Sequence, residues 1–316
     1  MTDEKRVSFG LKTVPAHTTY DEILRVWQEA DSVPLIEHAW LWDHMLPLMG
    51  DPGGPILEGW TLLAALAART ERLRLGVMVT SNRVRPPAVL AKIAATVDVI
   101  SGGRLVMGIG VGGTHQPGDT LTPREYDAYG LTIVPPAEGV QRLAETCAIF
   151  RRMWTEDVFD FEGRFYRLKG TRCEPKPVQR PGPPLMIGGW GDRTLRVVAE
   201  HADVWNVPGP PHNPVEYIAE RSAVLDAHCA AIGRDPAEIT RSTQMTVSYD
   251  DPAATRATAL ELVGAGVTHI ALNLRGPYPK DVAHWAAEHV IEPVLEEVAA
   301  GRGRPWSGHR RTEARP

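Results

Sequence analysis

The chain has 316 residues, about twice the length of an average domain, so it could form two ordinary domains or one large barrel. Its hydrophobic fraction of 43% and charged fraction of 23% are ordinary for globular proteins, which excludes a disordered chain, a collagen-like repeat and a coiled coil. With 34 basic and 39 acidic residues the net charge is −5, so no strong positive field favours nucleic acid.

The cysteines and the N-terminus bear on redox state and location. Cys147, Cys173 and Cys229 are far apart and show no CxxC spacing, which argues against a disulfide framework or a zinc site. The first residues are charged where a secretory signal would be apolar, and no apolar run reaches the roughly 18 residues that a membrane helix needs. We therefore expect a cytoplasmic protein with no metal, no membrane partner and no nucleic-acid partner.

Short β-branched segments alternate with longer segments of helical periodicity, which is typical of βα units around a parallel sheet. The first unit has a strand followed by a helix at about 19–31, where Thr19 and Glu22 have the spacing of a capping box. In chain order, the strands are predicted at about 7–13, 38–42, 73–80, 104–110, 185–188, 203–207, 240–248 and 268–274.

Eight such units predict an α/β fold made of one (β/α)8 TIM barrel over residues 1–300, followed by a flexible tail at 301–316. Two excursions, at about 112–136 and 156–184, interrupt the pattern. The second contains a predicted hairpin around 161–166. We expect both excursions at the C-terminal mouth of the barrel.

The active sites of such barrels lie where strands end, so residues at those positions are the first candidates for chemistry. Asp43 and His44 follow the second predicted strand. A histidine exchanges protons near neutral pH, and a neighbouring carboxylate can orient it and stabilise its cation. The same pair is also compatible with a helix cap beside a surface histidine.

Two further loops carry candidate ligand-binding residues. The loop from Thr80 to Arg85 combines small polar side chains with two arginines, a set suited to a polar ring edge or an anion, although spacing alone favours a solvated loop. The glycines between Gly108 and Gly113 let a flat ligand approach the backbone. They do not match a dinucleotide-binding fingerprint, because no helix begins directly after them and no acidic residue follows at the required place.

The segment from Ile187 to Thr194 passes from a strand into a helix through three glycines. Free N–H groups and the helix dipole favour a phosphate at such a helix N-terminus. A tight turn with only a packing role is the alternative interpretation. The dispersed histidines lack the HxH pair of a metal-dependent barrel hydrolase.

Several motifs in order resemble those of the bacterial-luciferase-like flavin and deazaflavin oxidoreductases, over residues from Val7 to about Val294. They are Trp42-Asp43-His44, Ser101 to Leu105 with Gly108 to Gly112, Glu125 to Gly130, and the block from Phe161 to Asn206. The resemblance implies a TIM barrel that binds FMN or the deazaflavin coenzyme F420, with the phosphate at the loop after the fifth strand. Asp43-His44 is similar to the pair that F420-dependent members place near the deazaflavin C5, and Ser81-Asn82 falls where that group often has a non-proline cis peptide bond.

Transferred residue by residue, the resemblance implies that His44 handles a proton and that Asp43 orients it and contacts the cofactor. The other cofactor contacts it implies are Ser81, Asn82, Val84, Gly112, Gln116, Gly189, Trp190, Gly191, Asp192 and Thr194. The active-site tryptophan and glutamate positions of the family's sugar-phosphate dehydrogenases read Leu48 and Gly113 here, which disfavours a sugar phosphate.

Together with Leu46 and Met49, Leu48 suggests a fairly apolar pocket. The resemblance therefore implies an F420-dependent oxidoreductase that transfers a hydride between the deazaflavin C5 and a small, fairly apolar substrate. An FMNH2-dependent monooxygenase is the alternative, and a non-catalytic flavin- or deazaflavin-binding protein is a second one. A homodimer is compatible with each of these.

Overall fold

The computed structural model describes residues 6–113 and 120–302, and within them parallel strands form a closed barrel surrounded by helices. The strands are β1 (Ser8–Lys12), β2 (Ile36–Leu41), β3 (Arg74–Val77), β4 (Thr80–Ser81), β5 (Leu105–Gly110), β6 (Phe159–Glu162), β7 (Arg167–Thr171), β8 (Leu185–Gly188), β9 (Val204–Val207), β10 (Thr240–Thr246) and β11 (His269–Asn273). The α-helices are α1 (Tyr20–Ser32), α2 (Gly59–Ala67), α3 (Pro87–Ile100), α4 (Leu121–Ala128), α5 (Pro136–Thr155), α6 (Asp192–His201), α7 (Val215–Ala231), α8 (Pro252–Gly264), α9 (Val282–Ala286) and α10 (Glu292–Ala299).

The sheet closes because β3 pairs with both β2 and β5. From β2 the order continues through β1, β11, β10, β9 and β8 to β5, with every pair parallel. This arrangement confirms the predicted (β/α)8 TIM barrel. None of the helices in the described ranges is both long and apolar enough to span a membrane.

Local signals explain several helix boundaries. Thr19 and Glu22 form the predicted capping box at the start of α1, and Pro87 occupies the first turn of α3. The last helical segment contains a π-helical turn at Ala287–Ile291 between α9 and α10. Pro293 lacks the N–H that would bond to the carbonyl of His289, and Arg256 donates to that carbonyl instead, over 2.8 Å.

The third strand is shorter than predicted. β3 ends at Val77, a non-proline cis peptide bond joins Met78 to Val79, and the chain pairs again with β5 at β4. The expected position of this bond, Ser81-Asn82, is therefore wrong by three residues. Val79 turns toward the interior, where its methyl groups lie against Gly110 and Gly188.

Apolar side chains fill the space between strands and helices, whereas the barrel interior contains a polar layer. The rings of His38 and His269 stack with their centroids 3.8 Å apart. Trp40 Nε1 donates to His38 Nδ1 over 2.6 Å, and Ser242 Oγ lies 2.9 Å from His269 Nδ1. Burial lowers the pKa of His38 well below its usual value and that of His269 to about 4, so both rings are neutral at pH 7.

The two excursions lie at different ends of the barrel. In the first, α4 covers the C-terminal mouth, where Tyr126 contacts Ser81. In the second, the β6–β7 hairpin packs against α5, since backbone N–H groups of 164–166 donate to Glu145. Gln179 then donates to the carbonyl of Leu105, at the start of β5, and to the buried Asp98. The 156–184 segment therefore lies on the outside and at the N-terminal end, which differs from the expected location at the mouth.

Candidate functional site

A cavity of about 1290 Å³ opens at the C-terminal end of the barrel. Residues at or just after the ends of the barrel strands line it, as the fold predicts for an active site. Its volume exceeds the roughly 300–1,000 Å³ of ordinary small-molecule pockets, so a cofactor and a substrate can fit together. Apolar side chains form much of the wall, among them Leu48, Met49, Met78, Val79 and Val140.

His44 lines this cavity with its side chain one-third exposed, and its Nδ1 lies 3.1 Å from Glu125 Oε2. The other carboxylate oxygen of Glu125 accepts hydrogen bonds from the backbone N–H groups of Met45 and Leu46. Burial alone would raise the pKa of Glu125, but these hydrogen bonds and the charge of His44 outweigh it and lower that pKa. Glu125 is therefore a carboxylate, which accepts a hydrogen bond from Nδ1–H and leaves Nε2 of a neutral His44 free to take a proton.

Asp43 occupies a different position from the predicted one beside His44. Arg85 donates to both of its carboxylate oxygens, over 2.7 and 3.0 Å, and also to Glu58. The Asp43 side chain is fully buried and does not line the cavity. The prediction that Asp43 orients His44 is wrong in this structure, because Glu125 holds that ring.

The residues after β3 form hydrogen bonds behind the cavity wall. Ser81 Oγ lies 2.6 Å from the hydroxyl of Tyr126, which also accepts a hydrogen bond from the N–H of Gly113. Asn82 is buried and accepts a hydrogen bond from Thr146 over 2.7 Å. Neither residue lines the cavity, nor does Val84, so these predicted cofactor contacts lie one layer outside it.

Glycines allow the backbone itself to form part of the cavity wall. Gly112 has φ of +78°, and a Cβ there would collide with Ser81 Oγ. A Cβ on Gly188 would lie 2.8 Å from Val79 Cγ2. A flat ring can therefore approach this wall closely. Gln116, also predicted to contact the cofactor, lies outside the described residues.

The first turn of α6 opens onto the same cavity. Gly189, Trp190, Gly191 and Thr194 line it, as the sequence predicted for the phosphate end of a cofactor. The first helical hydrogen bond runs from Leu195 N–H to the Gly191 carbonyl over 2.9 Å, which leaves the preceding N–H groups without a partner inside the helix. Asp192 differs from the prediction, because its exposed carboxylate turns outward and pairs with Arg221.

Sequence reasoning missed a lysine in the cavity. Lys12, the last residue of β1, is only 4% exposed and donates to Gln244 Oε1. Its Nζ lies 5.7 Å from the centroid of the Trp42 ring. Trp42 Nε1 is buried without a hydrogen-bond partner in the described structure. Burial lowers the pKa of Lys12 to about 7.

Glu125 was also missed, and of the two residues only Lys12 carried a usable signal in the sequence. Lys12 stands at the end of β1, as Asp43 and His44 follow the end of β2, and the rule that singled out that pair applies equally to it. Glu125 belongs to an excursion, so only the fold brings it to His44. Over the described ranges, no group of three or more His, Cys, Asp or Glu side chains is placed to hold a metal ion.

Comparisons with known proteins agree with this architecture. The family model described as luciferase-like monooxygenase matches residues 7–313. A phthiodiolone/phenolphthiodiolone dimycocerosates ketoreductase from Mycobacterium sp. (strain JLS) is 33% identical over 196 residues, covering 61% of this chain and 48% of the relative. The chain thus spans about half the length of the curated ketoreductases it matches.

Solved structures share the fold at low sequence identity. An F420-dependent secondary alcohol dehydrogenase, in complex with an F420-acetone adduct, has a TM-score of 0.76 and 16% identity over 92% of this chain and 99% of the other. A monooxygenase from Streptomyces bottropensis has a TM-score of 0.69 and 23% identity over 90% and 99%. An F420-dependent dehydrogenase and a monooxygenase therefore share this barrel fold. The family match over nearly the whole chain shows that this protein belongs to the luciferase-like monooxygenase family, whose members are oxidoreductases or monooxygenases.

Proposed function

We propose that the protein is an F420-dependent oxidoreductase that transfers a hydride between the deazaflavin and a hydroxyl- or carbonyl-bearing carbon of a small, largely apolar substrate. The observation that carries this proposal is the contact between His44 and Glu125 at the cavity wall. Interconversion of an alcohol and a ketone moves a proton together with the hydride, and a positioned histidine is suited to exchange that proton.

Backbone and small side chains of the cavity fit a flavin-like cofactor. Gly112 and Gly188 provide flat wall, while Gly191 and Thr194, with the N–H groups of the α6 first turn, suit a phosphate. The bound deazaflavin would supply or accept the hydride. The protein's own part is to hold that ring, to keep the apolar substrate out of water and to exchange a proton at His44 Nε2.

The carboxylate of Glu125 sets the role of His44. A carboxylate can only accept hydrogen bonds, so Glu125 keeps the ring proton of His44 on Nδ1. Nε2 of the neutral ring is then a base toward a substrate hydroxyl. In the reverse direction the imidazolium gives that proton to the substrate oxygen, and the nearby carboxylate stabilises the cation. The same contact therefore supports both directions of the reaction.

Titration of the purified chain with F420 and with FMN, separately and by ligand fluorescence, tests the cofactor. We expect micromolar or tighter binding of F420, equivalent to about −8 kcal/mol, and weaker binding of FMN. Medium-chain secondary alcohols and methyl ketones then test turnover through the absorbance of the deazaflavin. Tight FMN binding without F420 binding would instead support an FMNH2-dependent monooxygenase. Cofactor binding without turnover of any alcohol or ketone would support a non-catalytic cofactor-binding protein.

A further inference from the structure

Lys12 is a buried lysine with no anion beside it. The residue is 4% exposed, its Nζ donates to the neutral amide of Gln244, and no carboxylate of the described chain pairs with it. A charged ammonium in such a place loses its hydration without gaining an opposite charge, which is costly. The charge becomes favourable when a ligand brings a negatively charged or strongly polar oxygen.

A second donor lies in the same patch. The Nζ of Lys12 lies over the Trp42 ring, and Trp42 Nε1 is buried without a partner although its ring lines the cavity. Buried N–H groups in proteins are almost always hydrogen-bonded, so an unpaired one on a cavity wall marks a place for a ligand acceptor. Both residues line the same cavity, much of whose remaining wall is apolar.

The patch also adjoins the proton-handling residue. The His44 ring lies edge-on to Trp42, with the centroids 5.5 Å apart, while Lys12 contacts the same indole. An oxygen held by Lys12 and Trp42 therefore lies in the neighbourhood of His44. The other ionisable side chains that line the cavity are His17, Glu22, His212, Arg275 and Tyr278, and within the described structure none is ion-paired with Lys12.

We infer that Lys12 and Trp42 form an oxyanion-binding subsite, positioned by Gln244, which takes a carboxylate or a polarised carbonyl oxygen at one end of an aliphatic substrate. The assignment of that oxygen to the substrate rests on the proposed function. The subsite itself depends only on the chain's own residues, so it can be tested without cofactor.

The probes are decanoate, 2-decanone and, as a ligand without oxygen, decane, added to the full-length chain and followed by calorimetry. We expect decanoate to bind more tightly than 2-decanone, and Lys12→Met to weaken decanoate by at least about tenfold. Decane should be insensitive to that change. Lys12→Arg should restore part of the decanoate affinity, and the exposed Lys169→Met is the matched control.

Proton uptake gives an independent readout. At pH 8 the amine of Lys12 is mostly neutral, because burial lowers its pKa to about 7, and a bound carboxylate will raise that pKa again. Binding of decanoate, measured in two buffers of different ionisation enthalpy, should therefore take up close to one proton. Lys12→Met should abolish the uptake and Lys169→Met should keep it.

The outcomes separate the subsite from the cofactor assignment. Unchanged decanoate affinity in a folded Lys12→Met variant, binding without proton uptake, or no binding of either oxygen-bearing probe would each overturn the subsite. None of these results depends on whether F420 binds. Conversely, failure of F420 to bind would leave a measured carboxylate site intact and would remove only its assignment to the substrate of a deazaflavin reaction.

Discussion

Arg85 binds both carboxylate oxygens of Asp43, so the acidic residue next to His44 in the sequence pairs with an arginine and not with the imidazole. Glu125, which lies 81 residues after His44 in the chain, contacts that imidazole instead. The two carboxylates consequently have different tasks. Asp43 ties the loop after β2 to the loop after β4 inside the protein, and Glu125 holds the ring of His44 at the cavity wall.

Asp43→Asn should destabilise the protein by about 2–4 kcal/mol, because it leaves Arg85 buried with only Glu58 as a charged partner. Urea denaturation, followed by tryptophan fluorescence, measures the loss. Glu297→Gln is the control, since Glu297 pairs with the exposed Arg302 and loss of this surface ion pair should cost little. Normal stability of Asp43→Asn with lost cofactor affinity would restore the cofactor contact that the sequence implied.

His44→Ala should lower turnover by at least about 10²-fold and leave cofactor affinity within about tenfold. The proposed role of this residue is to exchange a proton, and it contributes little to binding of the cofactor ring. Turnover and cofactor titration on folded protein check this. Near-native turnover of the variant would show that His44 does not exchange the proton.

Glu125→Gln should lower turnover in the same direction. The single amide oxygen stays with the N–H groups of Met45 and Leu46, so the NH2 group faces His44 Nδ1 and cannot accept its hydrogen bond. If Glu125 acts through His44, the double variant His44→Ala, Glu125→Gln should be no slower than His44→Ala alone. The four proteins form a cycle, measured as kcat with cofactor saturating. Fully additive losses would show that Glu125 acts independently of the histidine.

Gly191→Glu should abolish cofactor binding and leave the fold intact, because it brings a carboxylate to the start of α6, where the N–H groups suit a phosphate. Gly191 is the cleaner position, since its φ is −69° and a Cβ there has 4.0 Å to the nearest side-chain atom that it meets. Gly189→Glu should have the same effect, but φ of +139° at that residue adds backbone strain. Retained affinity in a folded Gly191→Glu variant would move the phosphate elsewhere.

Stability should fall on acidification through the buried histidine layer. His269 has a pKa of about 4 in the folded protein against an ordinary value of 6.5, so below pH 6.5 the unfolded chain binds a proton that the folded one does not. The free energy of unfolding is therefore highest above pH 6.5 and decreases toward pH 4, by an amount on the order of 3 kcal/mol for His269, with His38 acting in the same direction. His269→Gln should flatten that slope in urea titrations at several pH values, whereas an unchanged slope would assign it to carboxylates.

The sequence predicted those features that depend on local pattern. The alternation of strands and helices gave the barrel, and the glycines before α6 predicted its cavity-facing first turn. The partner of His44 could not be predicted in the same way, because the choice between Asp43 and Glu125 depends on where α4 folds back. Likewise, the location of the 156–184 segment follows from Gln179, whose contacts with Asp98 and Leu105 are long-range.

The side chain of Val79 limits which substitutions the cavity wall can accept. Its Cγ2 methyl would lie 3.0 Å from a Cβ on Gly110 and 2.8 Å from one on Gly188. The branched side chain of Val79 therefore occupies the space that side chains at these two glycines would need. Alanine at Gly188 would force Val79 to move, alanine at Gly110 would crowd it, and either would fit more easily beside a smaller residue there. The three positions should therefore vary together, so that the size of the residue after the third strand limits which substitutions are accessible on the opposite wall.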